Sequence, residues 1–193
     1  HGLKPGELPE SYNLLHPEII ERIHREYLAA GSDIITTNTF GANRYKLNQY
    51  GYNVEEIVSS AVQIARQAAK DKLVALDIGP SGQLMQPYGT LSFEDAYKAF
   101  AEQVIAGAKA GADLILIETM SDVYEAKAAI LAAQENSDLP VIATMTFQSD
   151  GRTLTGTAPL TMVNIIQGLG VKALGVNCSL GPKEILPVIE EIL

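Results

Sequence analysis

Residues 93–118 read FEDAYKAFAEQVIAGAKAGADLILIE. A helix over Phe93 to Ala110 leads through Gly111 into the short apolar run Leu114-Ile115-Leu116-Ile117, which stops on Glu118. A strand that is apolar nearly throughout, and not alternately apolar and polar, indicates burial on both faces, as in a parallel sheet covered by helices. The same sentence recurs on either side. A helix from about Val54 to Lys70 leads to Leu73–Leu76, one from Val123 to Gln134 to Val141–Met145, and one from Thr161 to Leu169 to Ala173–Val176. Upstream, Ile19, Ile20, Ile23, Tyr27 and Leu28 share one face of a helix over Pro17 to Ala30, which Gly31 ends before Ile34-Ile35. Pro182 opens a last helix, so five strands alternate with six helices, an α/β pattern.

Two architectures fit such a pattern, the open doubly wound sheet and the closed (β/α)8 TIM barrel. A nucleotide-binding open sheet usually carries a Gly-rich turn after its first strand, and neither GxGxxG nor GxxxxGK[ST] occurs here. The barrel is therefore the expectation. At about 35 to 40 residues per unit, eight units approach the ~250 residues of such barrels, so residues 1–193 are expected to form a partial barrel domain about three strands short. The first residue is His1, and the chain stops at EEIL within an amphipathic pattern, which reads as an excerpt of a longer protein.

Composition narrows the functional classes. Lys and Arg total 14 against 23 Asp and Glu, for a net charge of -9 with no basic cluster, so nucleic acid is not an expected partner. No apolar run approaches the roughly 18 residues of a membrane span. A lone Cys makes no internal disulfide framework, the N-terminus has no signal pattern, and a cytoplasmic location is the default expectation.

Barrel enzymes place their chemistry at the C-terminal ends of the strands. The residues there are Asn38, Asp77, Glu118, Thr146 and the pair Asn177-Cys178. For Asn38 and Thr146 the plain reading stands, a polar residue where a strand meets water. Asp77 has a plain reading as a brace for the turn DIGPSG, and Glu118 one as an acid at the start of the next helix. Cys178 is read as a small buried hydrophobe, a nucleophile or a metal ligand. A nucleophile needs a base, usually His, but His1, His16 and His24 all precede the first strand, with His24 on a helix outside the barrel. A catalytic zinc takes three protein ligands, and one Cys leaves that set incomplete.

Five blocks carry a family resemblance: ESYNLLHPEIIERIHREYLAAGSDIITTNTFGANR (10–44), DIGPSGQLMQPYGTLSFEDAY (77–97), LILIETMSDVYEAKAAILAA (114–133), MTFQSDGRTLTGTAP (145–159) and ALGVNCSLGP (173–182). In this order they resemble the zinc-dependent homocysteine S-methyltransferase barrel, in the branch that opens cobalamin-dependent methionine synthase. The resemblance implies transfer of a methyl group to the homocysteine thiolate. It makes Cys178 one of three thiolates on a zinc ion and the catalytic residue, the other two coming from a Gly-Gly-Cys-Cys-Gly block beyond this chain. The first strand, with its Asp-Gly-Ala block, likewise lies outside. Glu118 takes the position of a carboxylate for the substrate ammonium, with Asn177, Asp77 and Asn38 as further substrate contacts. The implied cofactors are zinc and a cobalamin bound by other domains. The implied partners are homocysteine and the methylcobalamin and methyltetrahydrofolate-binding domains of one longer chain. Betaine, S-methylmethionine or S-adenosylmethionine are alternative donors. A different barrel enzyme acting on a phosphorylated substrate, or a non-catalytic fragment, are the rival readings.

Overall fold

The computed structural model describes residues 2–193. After a 3-10 turn at Pro9–Ser11, the chain runs α1 (Tyr12–Leu15), α2 (Pro17–Ala29), β1 (Ile34–Thr36), α3 (Arg44–Leu47) and α4 (Val54–Ala69). It continues β2 (Leu73–Ile78), α5 (Phe93–Ala110), β3 (Leu114–Met120), α6 (Val123–Asn136), β4 (Val141–Met145), α7 (Pro159–Gly168), β5 (Ala173–Val176) and α8 (Pro182–Ile192). The helix boundaries follow from local chemistry. Asn53, Ser92 and Asp122 accept a hydrogen bond from the first-turn amides of α4, α5 and α6, and proline opens α2, α7 and α8. Gly111 ends α5 at φ 99°, a left-handed conformation that costs glycine little. The short α1 and α3 were not expected, since four residues are too few to show a period.

The five strands form one parallel sheet in the order β1-β2-β3-β4-β5. A doubly wound sheet reverses its strand order at a switch point; here every strand pairs with the next in sequence, which is the order of a barrel wall. Val74, Leu76, Ile78, Ile115, Ile117, Ala143 and Met145 are buried beneath the helices, and Leu76 fits against the bare Cα of Gly107 in α5. The opposite face carries Asp77, Leu116, Glu118, Ile142 and Thr144. Burial on both faces, expected from the apolar runs, holds fully only toward the helices. Leu116, Glu118, Ile142 and Thr144 are only partly buried, and Ile34 and Leu73 are more than 40% exposed. Among the described residues no second layer covers this inner face, and no helix is long and apolar enough to cross a membrane.

Two strands run further than their apolar cores. β2 continues through Asp77 to Ile78, and β3 through Glu118 to Met120, so both carboxylates are strand residues facing inward rather than loop residues. His24 lies on α2 as expected, but it is buried, with its pKa lowered by desolvation.

Candidate functional site

Four adjacent strands bring Asp77 (β2), Glu118 (β3), Thr144 (β4) and Asn177 (the residue after β5) to one end of the sheet. The backbone of Asp77 is clamped from β1 and the turn after it. Its N–H donates to Thr37 Oγ1 (3.0 Å) and its carbonyl accepts from Thr39 Oγ1 (2.7 Å), the two hydroxyls being 2.6 Å apart. The Asp77 side chain is buried, and its Oδ1 has no partner among the described residues. Burial above all, then the charge and hydrogen bond of Glu118, then the charge of Glu10, push its pKa up to about 8. At neutral pH, Asp77 is therefore mostly protonated beside Glu118.

Glu118 is held from the other side by Asn177, whose Nδ2 donates to Glu118 Oε2 at 2.6 Å and to Thr119 Oγ1 at 2.8 Å. Asn177 Oδ1 accepts from Thr119 N (3.1 Å) and Thr144 Oγ1 (2.9 Å). Thr119 sits at φ 60°, an uncommon conformation for a β-branched residue, within an irregularity that shifts the β3–β4 register between Ile117 and Met120. Cys178 follows Asn177 directly, also with positive φ (56°), and its thiol is free and exposed. Ser179 Oγ accepts from Phe147 N at 3.1 Å, fastening the segment after Cys178 to the end of β4.

The structure thus gathers Asp77, Glu118 and Asn177 into one connected group, with Cys178 covalently beside it. Asn38 is engaged elsewhere: its Nδ2 donates to Pro9 O (2.8 Å) and Asn13 Oδ1 (3.2 Å), and its carbonyl accepts from Asn13 Nδ2, which ties the N-terminal turn to the end of β1. Thr146 continues the β3–β4 pairing through its amide to Met120 O. Sequence reasoning missed Thr37, Thr39, Thr119 and Thr144. Thr36-Thr37-Asn38-Thr39 reads as an ordinary polar strand end, and threonine within strands is too common to signal a role. It also missed Glu125, which is buried on α6 and whose Oε1 accepts from both Ser81 N (2.8 Å) and Ser81 Oγ (2.5 Å) beneath the DIGPSG turn. A cavity of about 820 Å3 lies away from this end, in the helical layer between Arg44, Tyr52, Glu102 and Lys109.

As to a metal, an exposed free thiol at a strand end suits a thiolate ligand, but among the described residues no group of three His, Cys, Asp or Glu could hold an ion. The described chain supplies one donor of such a site and not the set.

Fold and site define an α/β barrel wall whose rim carries a pair of neighbouring carboxyl groups, an amide brace and a free thiol. Comparison with known families places it further. Residues 4–193 match the homocysteine S-methyltransferase family, and the chain belongs to that family. It is 31% identical over 189 residues to the methionine synthase of Mycobacterium tuberculosis, and 31% over 190 residues to that of Mycobacterium leprae. In both cases the match covers 91% of this chain but only 16% of the relative, so the chain spans a small part of those proteins. Among solved structures, the metallated form of the homocysteine methyltransferase MmuM from Escherichia coli superposes with a TM-score of 0.87 over 99% of this chain and 74% of that one, at 22% identity. The carboxyl transferase domain of Rhizobium etli pyruvate carboxylase shares the fold more loosely, at a TM-score of 0.52 and 15% identity over 84% of this chain.

Proposed function

We propose that this chain is the homocysteine-binding part of a methionine synthase, in which the substrate ammonium is bound by Glu118 and Asp77 and the substrate thiol lies beside Cys178. The observation that carries this is the Asp77–Glu118 carboxyl pair at the rim of a family barrel, one residue removed from Cys178 through the Asn177 bridge. Two inward carboxyl groups, with Asp77 held protonated by burial and by the neighbouring Glu118, suit a cationic group. An ammonium group placed there stabilises the second negative charge, and the proton leaves to solvent.

Cys178 would hold one coordination position of a zinc ion through its thiolate. When bound, zinc supplies a thiol that stays deprotonated at neutral pH. This chain's own residues orient the amino acid: Glu118 and Asp77 take the ammonium, and Asn177 holds Glu118 still. In the reaction a carbon–sulfur bond forms between the incoming methyl group and the substrate thiolate, and the donor departs with the electron pair of the bond that breaks. In the methionine synthase setting the methyl group would come from a methylcobalamin domain, with a methyltetrahydrofolate-binding domain of the same longer chain as a further partner, in the cytoplasm. A second reading keeps homocysteine as the acceptor and takes betaine, S-methylmethionine or S-adenosylmethionine as the donor.

The test is methionine formation from homocysteine by the full-length protein, assayed with each donor in turn. Wild type should form methionine with methylcobalamin, and Cys178→Ala should not. Full activity in Cys178→Ala would remove the thiol from the mechanism, and turnover with S-methylmethionine alone would select the second reading.

A further inference from the structure

The Asn177 carboxamide has two N–H donors and an oxygen with two lone pairs, and protein partners occupy all four positions. Its orientation is unambiguous. A backbone N–H can only donate, so the atom facing Thr119 N is the oxygen, and the NH2 group is left facing Glu118 Oε2 and Thr119 Oγ1. A saturated amide cannot bond a substrate without giving up one of these partners. Its partners come from two strands. Thr144 is on β4, while Glu118 and Thr119 lie on β3 at the register shift, where Thr119 is held in a left-handed conformation that persists only when the surroundings over-determine it.

We infer that Asn177 is a positioning residue that works as a ruler: by clamping the irregular end of β3 while being covalently joined to Cys178, it fixes the separation between the carboxylate for the substrate ammonium and the thiol that marks the sulfur end, and so selects amino thiols by chain length. This rests on the function proposed above. An amino acid whose thiol stands two methylenes from the α-carbon spans the fixed separation, whereas cysteine, one methylene shorter, satisfies one end at the expense of the other. Loss of the clamp lets Glu118 shift, which weakens the fitted substrate and leaves the misfitted one nearly unaffected.

The experiment uses the full-length protein with Asn177→Ala, and with Thr144→Val as a milder, nearly isosteric variant that suits a strand and removes the hydroxyl that donates to Asn177 Oδ1 and accepts from Thr119 N at 3.4 Å. Amide hydrogen exchange is followed over residues 117–121, and L-homocysteine and L-cysteine are titrated calorimetrically. Asn177→Ala should speed exchange at Thr119 and lower homocysteine affinity on the order of tenfold, with cysteine affinity changing less than about twofold. Thr144→Val should move both readouts the same way, by less. Unchanged exchange at Thr119 would overturn the clamp, and an equal loss of both ligands would overturn the ruler. If wild type itself fails to bind homocysteine, the proposed function fails and the ruler with it. That outcome shows in the wild-type titration and cannot be confused with a failure confined to the variants.

Discussion

Asp77 on β2 and Glu118 on the neighbouring β3 lie on the same inner face of the sheet, and burial together with Glu118 holds Asp77 mostly protonated at neutral pH, its pKa raised from 3.8 to about 8. The groups facing Asp77 do little to offset this. Glu118 and Glu10 are acids, and His24, which lines the same cavity as Asp77, has its pKa lowered by burial. The folded protein therefore binds more protons here than the unfolded chain between about pH 4 and pH 8. Stability from this group is fully present below the unfolded value and is lost as pH rises through about 8. Asp77→Asn, which mimics the neutral acid, should flatten the dependence of melting temperature on pH over this range and raise it at pH 8. Parallel curves for wild type and variant would show that Asp77 does not carry the proton. Homocysteine should bind with proton release below pH 8, visible as a binding heat that varies with the ionisation enthalpy of the buffer.

Cys178 is exposed and free, without the apolar packing that a structural cysteine has. In the full-length protein Cys178→Ser should reduce zinc content by about tenfold or more, given that loss of a residue merely supporting a ligand costs roughly 10- to 100-fold in metal affinity. Elemental analysis of the purified variant checks this, and zinc retained at the wild-type level would take Cys178 out of the ligand set.

Glu125 and Ser81 form a latch below the turn between β2 and α5. Burial raises the Glu125 pKa, and the two Ser81 bonds offset only part of that rise. Glu125→Ala would leave the Ser81 amide and hydroxyl without their acceptor, at a cost of about 1–3 kcal/mol. Urea unfolding should show that loss, whereas Ser81→Ala, which keeps the amide's bond to Glu125 and loses the hydroxyl's bonds to Glu125 and Gln83, leaves the Glu125 carboxylate with one donor and should cost less.

The fold was legible because each unit repeats one helix and one apolar strand, and parallel pairing in chain order follows from that repetition. The strand ends were also legible as a rim. What the sequence concealed was the partnering within it. Asn38 and Asn177 look alike as polar residues after a strand. Asn38 fastens the N-terminal turn, whereas Asn177 braces Glu118, and the difference lies in which strands the fold brings alongside. The bulge at Thr119 was invisible because a left-handed residue leaves a sequence trace mainly when it is Gly or Asn. The elevated pKa of Asp77 depends on burial and on Glu118, 41 positions away, and no local pattern encodes either.

The central claim, that the Asp77–Glu118 pair receives the ammonium of homocysteine, is tested most directly by calorimetric titration of L-homocysteine into zinc-loaded full-length protein and its Glu118→Gln variant. Replacing a charge-assisted bond, worth roughly 1.5–3 kcal/mol, should weaken binding by about tenfold to a hundredfold while zinc content stays unchanged. Affinity within about twofold of wild type, with the variant folded and metal-loaded, would contradict the account.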